Sequence, residues 1–259
     1  MTAQHQLEAT LRTLKLSGML DTLDTLDARL GQARAGELGH LEFLQVLCED
    51  EASRRSAAAI GRRLRAARFD EQVSLEEFDF TVSARLPVAA IRDLATLRFL
   101  AAGESVVLHG PVGVGKSHVA QALGQLACRR GHNVAFLKAS RALAHLAGGH
   151  ADHSWTRRLR KLAGPALLVL DDFGMRELTP SQADDLYELI TERAGKSTLV
   201  TANRAPADWY PLFPNPVVAE SLLDRLINTS HVLLMDGPSY RPRKRPARVS
   251  PDPQPTASD

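Results

Sequence analysis

The chain has 259 residues, of which 24% are charged and 44% are hydrophobic, and its formal net charge is +2. This ordinary globular composition excludes a wholly disordered chain, and the near-neutral total does not by itself indicate a nucleic-acid partner. Cys48 and Cys128 are the only cysteines, which excludes a disulfide framework or a cysteine-based zinc site.

Residues 1–70 are predicted to form a small all-α N-terminal domain. Leucines recur there at steps of three and four residues, the period of an amphipathic helix, and we expect them to form the core of a helical bundle. Gly18 and Gly31 interrupt this pattern, and a second helix is predicted from Leu41 to Arg68. The leucines concerned are Leu7, Leu11, Leu14, Leu20, Leu23, Leu26 and Leu30.

A basic stretch closes this domain. No acidic residue occurs between Ala52 and Phe69, and arginines spaced three apart (Arg62, Arg65 and Arg68) are expected to share one face of the helix. Such a face is typical of a phosphate-binding surface, although a solvated or protein-facing surface is the alternative. The predicted DNA-binding residues here are Arg54, Arg55, Arg62, Arg63, Arg65 and Arg68.

The rest of the chain divides into three parts. Residues 71–86 are predicted to be an acidic connector with an apolar anchor at Phe78 and Phe80. In residues 87–240 short apolar runs alternate with helical stretches, which predicts an α/β domain with a five-stranded parallel sheet between helices. Residues 241–259 hold five prolines and a basic start, and they are predicted to be a disordered basic tail. The predicted strands are 105–110, 133–138, 166–170, 197–202 and 231–235.

A phosphate-binding loop follows the first of these strands. The sequence Gly-Pro-Val-Gly-Val-Gly-Lys-Ser at 110–117 fits the Walker A pattern, and it stands between a predicted strand and a predicted helix. Its main-chain N–H groups and the start of the helix are expected to hold phosphates, with Lys116 on the β- and γ-phosphates and Ser117 on Mg²⁺. The cofactors expected are therefore ATP and Mg²⁺. The predicted nucleotide-binding residues are Gly110, Pro111, Val112, Gly113, Val114, Gly115, Lys116, Ser117 and His118.

Two acids end the third predicted strand and form a Walker B pattern. Asp171 is predicted to hold Mg²⁺ and Asp172 to orient the attacking water, because the carboxyl ends of parallel strands meet at the ligand-binding edge of a sheet. Asn203, which closes the fourth strand, is predicted to sense the γ-phosphate, with a turn residue as the alternative. A further strand, 133–138, lies between the loop and these acids in sequence, which favours an ATP-hydrolysing protein over a nucleotide kinase or a small GTPase.

A second basic cluster lies between the second and third predicted strands. It is predicted to contribute to DNA binding through the phosphate backbone, so that affinity falls steeply with salt. Its residues are Arg157, Arg158, Arg160 and Lys161.

Several stretches resemble AAA+ ATPases of the DnaC-like group, and in particular the IstB-like transposition helpers. They are LEEFDF at 75–80, GPVGVGKSH at 110–118, LLVLDDFG at 167–174, LTPSQADDLYELITER at 178–193, TANRAPADWYPLF at 201–213 and LLDRLINTSHVLLMDGPSYR at 222–241. The resemblance implies an ATPase that forms a homo-oligomer with ATP at the subunit interfaces, binds and remodels duplex DNA, and recruits or stimulates a transposase.

The resemblance also implies roles for two arginines. Arg225 matches the arginine finger that reaches the ATP of a neighbouring subunit, and Arg241 matches a second sensor of the nucleotide. An arginine supplied in trans would neutralise charge on the γ-phosphate and couple hydrolysis to assembly. Arg193 is a competing candidate for the finger.

Other functions remain open at this stage. A helicase loader of the DnaC type would have a nearly identical core, a small-molecule kinase would share the phosphate loop, and a non-enzymatic protein would use ATP only as a switch. The longest apolar run, 166–170, is far shorter than the ~18 residues of a spanning helix, and the N-terminus lacks a signal-peptide pattern. A cytoplasmic protein without membrane contact is therefore expected.

Overall fold

The structure is a computed structural model that describes residues 3–20, 23–36 and 38–240. The chain divides into two compact units, 1–66 and 67–259, each with its own packing. Arg241 and the remainder of the predicted tail lie outside the described residues. In the described ranges no helix is long and apolar enough to cross a membrane.

The first unit is helical. Its elements are α1 (Ala3–Thr13), a short 3₁₀ helix (Ser17–Met19), α2 (Leu23–Arg34) and α3, which begins at His40 and ends at Ala67. Gly31 lies inside α2, so the expectation that it interrupts a helix is wrong.

A small apolar cluster holds this unit together. Leu11, Met19 and Leu47 are buried in it. Leu7 and Leu14 are exposed, at 46% and 59%, so these two do not belong to the predicted core. The partly buried residues that pack against the cluster are Leu16, Leu20, Leu30 and Phe43.

In the second unit two short α-helices that the sequence pattern did not predict precede β1, and strands alternate with helices from there on. The first part comprises α4 (Val88–Leu94), α5 (Arg98–Ala102), β1 (Ser105–His109), α6 (Lys116–Arg129), β2 (Val134–Lys138), α7 (Ala139–Ala151) and α8 (Trp155–Ala163). The second part comprises β3 (Leu167–Phe173), α9 (Pro180–Glu192), β4 (Ser197–Ala202), α10 (Pro216–Ile227) and β5 (Ser230–Leu234). Two further 3₁₀ helices are Phe80–Val82 and Pro206–Leu212.

The five strands form one parallel sheet in the order β2-β3-β4-β1-β5. Strand β4 therefore lies between the strand that precedes the phosphate loop and the strand that carries the acids. This order arises because α6 connects β1 to β2 at one side of the sheet, and β3 and β4 then fill the two positions between them. The α/β architecture with five parallel strands is confirmed.

Helices cover both faces of the sheet. On one face Val107, Leu168 and Val200 belong to a large buried cluster that includes residues of α7, α8, α9 and α10. Side chains alternate between the faces of a strand, and the alternate residues Val106 and Val169 are fully buried on the other face, where α6 packs. Burial on both faces explains why these strands are continuous apolar runs.

Strand β3 is longer than the sequence pattern suggested. The predicted strand ended at residue 170, whereas the observed strand includes Asp171, Asp172 and Phe173. Its pairing with β4 is irregular between Leu170 and Phe173, because Leu170 pairs with Val200 and Phe173 with Ala202. The two acids thus lie on a β-bulge inside the strand.

Candidate functional site

The loop between β1 and α6 has the backbone of a phosphate-binding loop. Gly110 and Gly115 have φ values of 140° and 97°, which L-residues with a side chain rarely adopt. A Cβ atom at Gly110 would collide with the Met235 carbonyl oxygen, and one at Gly115 would collide with the ring of Phe78. Close packing on both sides therefore requires glycine at these two positions.

Lys116 opens α6 and is buried at 6% exposure. Its Nζ donates to the carbonyl oxygens of Gly110 and Pro111, at 2.8 and 2.7 Å, so the side chain folds back over the loop. Within the loop Val112 is exposed and Val114 is buried. The ammonium group and the positive end of α6 together make the loop attractive to anions.

The two predicted metal ligands are in direct contact. Ser117 Oγ donates to Asp171 Oδ1 at 2.7 Å, although the residues are 54 apart in sequence. Hydroxyl and carboxylate oxygens are ligands that Mg²⁺ accepts, and Mg²⁺ keeps several waters or phosphate oxygens as its other ligands. This donor set therefore fits Mg²⁺ bound together with a nucleotide.

Asp172 is paired with a lysine that the sequence did not single out. Lys138 Nζ, at the end of β2, lies 2.7 Å from Asp172 Oδ2 and 3.8 Å from Asp171 Oδ2. The hydrogen bond to Asp172 raises the pKa of Lys138, and the negative charges of both acids add to this effect. The pair lines a cavity of about 460 Å³ at the carboxyl edge of β2 and β3.

Thr201 of β4 also contacts both acids, and the sequence pattern did not predict it as a site residue. Its hydroxyl bonds to the Asp171 carboxylate and to the Asp172 main chain. Strand 197–202 has three polar residues, and the sequence alone did not distinguish Thr201 from Ser197 and Thr198.

Two other predicted residues have different partners. The Asn203 amide nitrogen lies 3.2 Å from Met175 Sδ, on the loop that follows β3. His118 Nε2 lies 2.9 Å from the Ser74 carbonyl oxygen, so its ring contacts the connector. The structure thus places Asn203 beside the loop that follows β3 and His118 against the connector.

The connector packs beside the phosphate loop. The buried ring of Phe78 contacts His118 and Tyr240, with ring centres 5.4 and 5.2 Å apart, and it lies against Gly115. The Tyr240 N–H donates to the Gly113 carbonyl oxygen at 2.9 Å. Phe78 and Tyr240 therefore both contact the phosphate loop, although both are distant from it in sequence.

Arg225 lies at the other edge of the sheet. Helix α10 ends at Ile227, and Ser230, at the start of β5, pairs with Ser105 at the start of β1. Five strand residues of ~3.3 Å each separate this edge from the phosphate loop by about 16 Å. The exposed Arg225 side chain donates to Thr191 Oγ1 at 2.9 Å and lies 5.3 Å from the Tyr187 ring centre.

Arg193 is inside the unit, which argues against its use as an arginine finger. Its side chain is fully buried, and burial lowers its pKa to about 10. It donates hydrogen bonds to the Thr198 hydroxyl and to the main-chain carbonyls of Leu162, Ala163, Pro165 and Ser197. A side chain used in this way cannot reach a neighbouring subunit.

The arginines of α3 fall into two groups. Arg54 and Arg55 both bond to the buried carboxylate of Glu51, and Arg55 also donates to the Lys15 carbonyl at 3.1 Å. The hydrogen bond from Arg54 is the largest influence that lowers the pKa of Glu51 from 4.5 to about 2. Both arginines therefore form ion pairs within the helical unit, with the Arg54 side chain half-buried and the Arg55 side chain 56% exposed.

The other arginines of this stretch are at least partly accessible. Arg62 and Arg65 are exposed and Arg63 is half-buried. Helix α3 ends at Ala67, and Arg68 has a φ of 60°, so the expectation that it continues the helical face of Arg62 and Arg65 is wrong.

The second basic cluster lies on α8. Arg157, Arg160 and Lys161 are exposed. Arg158 instead donates to Ser154 Oγ and the His145 carbonyl, both at 2.7 Å, and to Asp152 at 2.6 Å. It therefore ties the start of α8 to α7.

The fold and the loop define the class. A parallel sheet in the order β2-β3-β4-β1-β5, with a phosphate loop after β1 and acids on β3, is the AAA+ P-loop fold. Residues 9–247 match the model of the IstB-like ATP binding proteins, and the chain belongs to that family.

Relatives from insertion sequences extend over nearly the whole chain. A Mycobacterium tuberculosis protein named as an ATP-binding protein in an insertion sequence is 66% identical over 242 residues, which are 93% of this chain and 95% of that protein. The IS21 ATP-binding protein of Pseudomonas aeruginosa is 34% identical over 242 residues, 93% of this chain and 90% of that protein. The chain is accordingly an ATP-binding protein of the insertion-sequence type.

Solved structures resemble the core. The DnaC helicase loader matches with a TM-score of 0.53 and 22% identity, over 67% of this chain and 99% of that one. AMPPCP-bound DnaA from Aquifex aeolicus matches with a TM-score of 0.56 and 18% identity, over 65% of this chain and 51% of that one. At these identities the likeness concerns the fold alone.

Proposed function

We propose that this protein hydrolyses ATP with Mg²⁺, assembles with ATP between its subunits, binds and remodels duplex DNA, and assists a transposase. One observation carries the hydrolytic part of the proposal. The phosphate loop and the Walker B acids are joined by the 2.7 Å bond between Ser117 and Asp171, at the edge where parallel sheets bind ligands.

Each residue at this edge has a role in the proposal. Lys116 binds the β- and γ-phosphates, and Ser117 and Asp171 hold Mg²⁺, which supplies positive charge to the phosphates. Asp172 accepts a proton from the attacking water, and Asn203 helps to place that water. Because Lys138 now occupies Asp172 Oδ2, the ion pair has to loosen before that oxygen can act as a base.

Arg225 completes the site of a neighbouring subunit. Its distance from the phosphate loop of its own chain excludes action in cis, and its exposure leaves it accessible to a second copy. An arginine in this role stabilises the charge that develops on the γ-phosphate. Arg241 is proposed as a second nucleotide sensor from the family resemblance alone.

Duplex DNA is the proposed ligand of the accessible basic residues. Arg54, Arg55 and Arg158 are removed from the predicted set, because each is held by contacts within its own unit. The insertion-sequence relatives support DNA and a transposase as partners. The remaining DNA-binding candidates are Arg62, Arg63, Arg65, Arg68, Arg157, Arg160 and Lys161.

The test is ATP turnover and particle size, each measured with and without duplex DNA. We expect DNA to stimulate turnover and ATP to produce a larger particle. Turnover without any phosphorylated small product excludes a kinase, whereas ATP binding without turnover would contradict the enzymatic part and leave a binding switch.

The DNA surface is tested by the salt dependence of binding. Replacing Arg157, Arg160 and Lys161 together by alanine should weaken binding and reduce the slope of log K against log salt by up to about 2.7, since each phosphate contact contributes about 0.9. A triple alanine variant of Arg92, Arg98 and Arg130, which are exposed outside both clusters, is the matched control. Equal slopes for the two variants would contradict the assignment of α8.

A DnaC-type helicase loader is the second candidate function. The match to almost the whole DnaC structure favours it, although that match concerns the fold. Affinity capture with an insertion-sequence transposase and with the replicative helicase separates the two. Retention of the helicase alone would decide for a loader.

A further inference from the structure

Thr201 lies between the two acids of the proposed catalytic site. It belongs to β4 and is fully buried. Its hydroxyl donates to Asp171 Oδ1 at 2.6 Å and accepts the Asp172 main-chain N–H at 3.0 Å. A hydroxyl has one hydrogen and two lone pairs, so it can make these two bonds together.

These bonds are made where β3 departs from regular geometry. Between the pairs Leu170–Val200 and Phe173–Ala202, β3 has one residue more than β4, and Asp172 has a φ of 57°. Consecutive side chains of a regular strand point to opposite faces, whereas a bulge redirects them. The Thr201 hydroxyl satisfies the Asp172 N–H at this bulge.

The same hydroxyl also helps to orient the Asp171 carboxylate. Asp171 Oδ1 accepts from both Ser117 and Thr201, while Lys138 Nζ lies 3.8 Å from Oδ2. Ser117 belongs to the phosphate loop, whereas Thr201 lies on the neighbouring strand. The bond from Thr201 therefore attaches the Asp171 carboxylate to the neighbouring strand β4, independently of the phosphate loop.

We infer that Thr201 is a positioning residue that sets both the metal-binding carboxylate of Asp171 and the direction of Asp172. The inference rests on the proposed function, because it assigns Asp171 to Mg²⁺ and Asp172 to water. Its own consequence is that the Thr201 hydroxyl determines how strongly Mg²⁺ increases the affinity for ATP.

The experiment compares Thr201→Val with Thr201→Ser in the full-length protein. Valine keeps the shape and removes the hydroxyl, whereas serine keeps the hydroxyl. We expect Thr201→Val to bind ATP in EDTA with the wild-type affinity. The increase in ATP affinity that Mg²⁺ produces should be about tenfold smaller than in the wild type. The kcat of Thr201→Val should fall at least as much, and Thr201→Ser should recover most of both effects.

Thr198→Val is the matched control, because Thr198 is a buried threonine of the same strand whose hydroxyl bonds to Arg193 at 3.0 Å. It should lower the melting temperature without changing the Mg²⁺-dependent affinity. The inference is overturned if Thr201→Val keeps the wild-type response to Mg²⁺, or if Thr198→Val loses it equally. A wild type that binds ATP but does not turn it over would refute the proposed hydrolysis, while the binding measurement would still test Thr201.

Discussion

The two edges of the parallel sheet use charged residues in different ways. At the carboxyl edge Ser117, Asp171 and Thr201 bond to one another, and Lys138 pairs with Asp172. At the amino edge Arg225 is exposed, and its contacts in the described part of the chain are a hydroxyl and an aromatic ring. One edge is assembled within a single chain, whereas the other presents an exposed arginine that we propose acts on a second copy.

Arg225 and Arg193 both lie at the amino edge of the sheet, but they differ in burial. Both residues precede a strand and both were candidates for an arginine finger, yet one is exposed and the other is fully buried. The buried Arg193 stabilises the fold, because its N–H groups donate to main-chain carbonyls. Exposure leaves Arg225 accessible to another copy.

The largest expected effect on ATP binding, on which every later step depends, is at the carboxyl edge. Lys116→Ala should reduce ATP affinity at least ~100-fold, because it removes the buried charge of the phosphate loop. Titration with a fluorescent ATP analogue measures this loss. Lys196→Ala, at the amino edge, is the control and should bind normally, since the Lys196 ammonium donates to the Ala163 carbonyl and not to the phosphate loop. Normal binding by Lys116→Ala would remove the basis for the whole site.

The next effect concerns the amino edge. Arg225→Ala should lower ATP turnover roughly a thousandfold and leave ATP affinity unchanged, because the arginine acts on the transition state in trans. Steady-state kinetics and an equilibrium titration measure the two quantities. If turnover stays normal, the finger assignment is wrong.

Arg193→Met should instead destabilise the protein. Removing a buried guanidinium that satisfies several carbonyls is expected to cost about 2–4 kcal/mol of unfolding free energy. Chemical denaturation measures this cost. Arg225→Ala serves as the comparison, since an exposed arginine should contribute less than ~0.5 kcal/mol. Equal losses in the two variants would abolish the distinction between them.

The smallest effect lies in the helical unit, where arginines are again divided between packing and exposure. The folded state holds the pKa of Glu51 at about 2, below its ordinary 4.5. Glu51 therefore adds stability above about pH 4.5, and this contribution is lost as the pH falls towards 2. The stability difference between wild type and Glu51→Gln should be present at pH 6 and vanish near pH 2.

Circular dichroism during denaturation gives that difference at each pH. Glu49→Gln on the same helix is the control, because Glu49 is exposed and accepts one bond from Gln45. A difference for Glu51→Gln that does not change with pH would contradict the proposed origin of its stability.

Local patterns were sufficient to predict the strands and the phosphate loop. Apolar runs flanked by turn residues located all five strands, and strand 197–202 was predicted with the observed bounds. The Walker A pattern fixed the glycines, Lys116 and Ser117, since their spacing is set by the loop itself. The contact between Ser117 and Asp171 follows from the meeting of strand ends in a parallel sheet.

Contacts between distant residues were beyond local patterns. The partner of Asp172, Lys138, is 34 residues away and gave no sign except its place at a strand end. The β-bulge depends on pairing with β4, so the strand seemed to end at residue 170. The Glu51 pairs of Arg54 and Arg55 have the local i,i+3 and i,i+4 spacing of a helix and were overlooked, whereas the Asp152 partner of Arg158 contacts it only in the folded chain.

The central claim is that an active ATP site is built from the carboxyl edge of one subunit and the amino edge of another. Asp172→Asn and Arg225→Ala should each bind ATP and each show little turnover. When the two variants are mixed, some interfaces combine an intact Asp172 with an intact Arg225, so turnover should reappear. No recovery on mixing, with both variants folded and bound to ATP, would contradict a site shared between subunits.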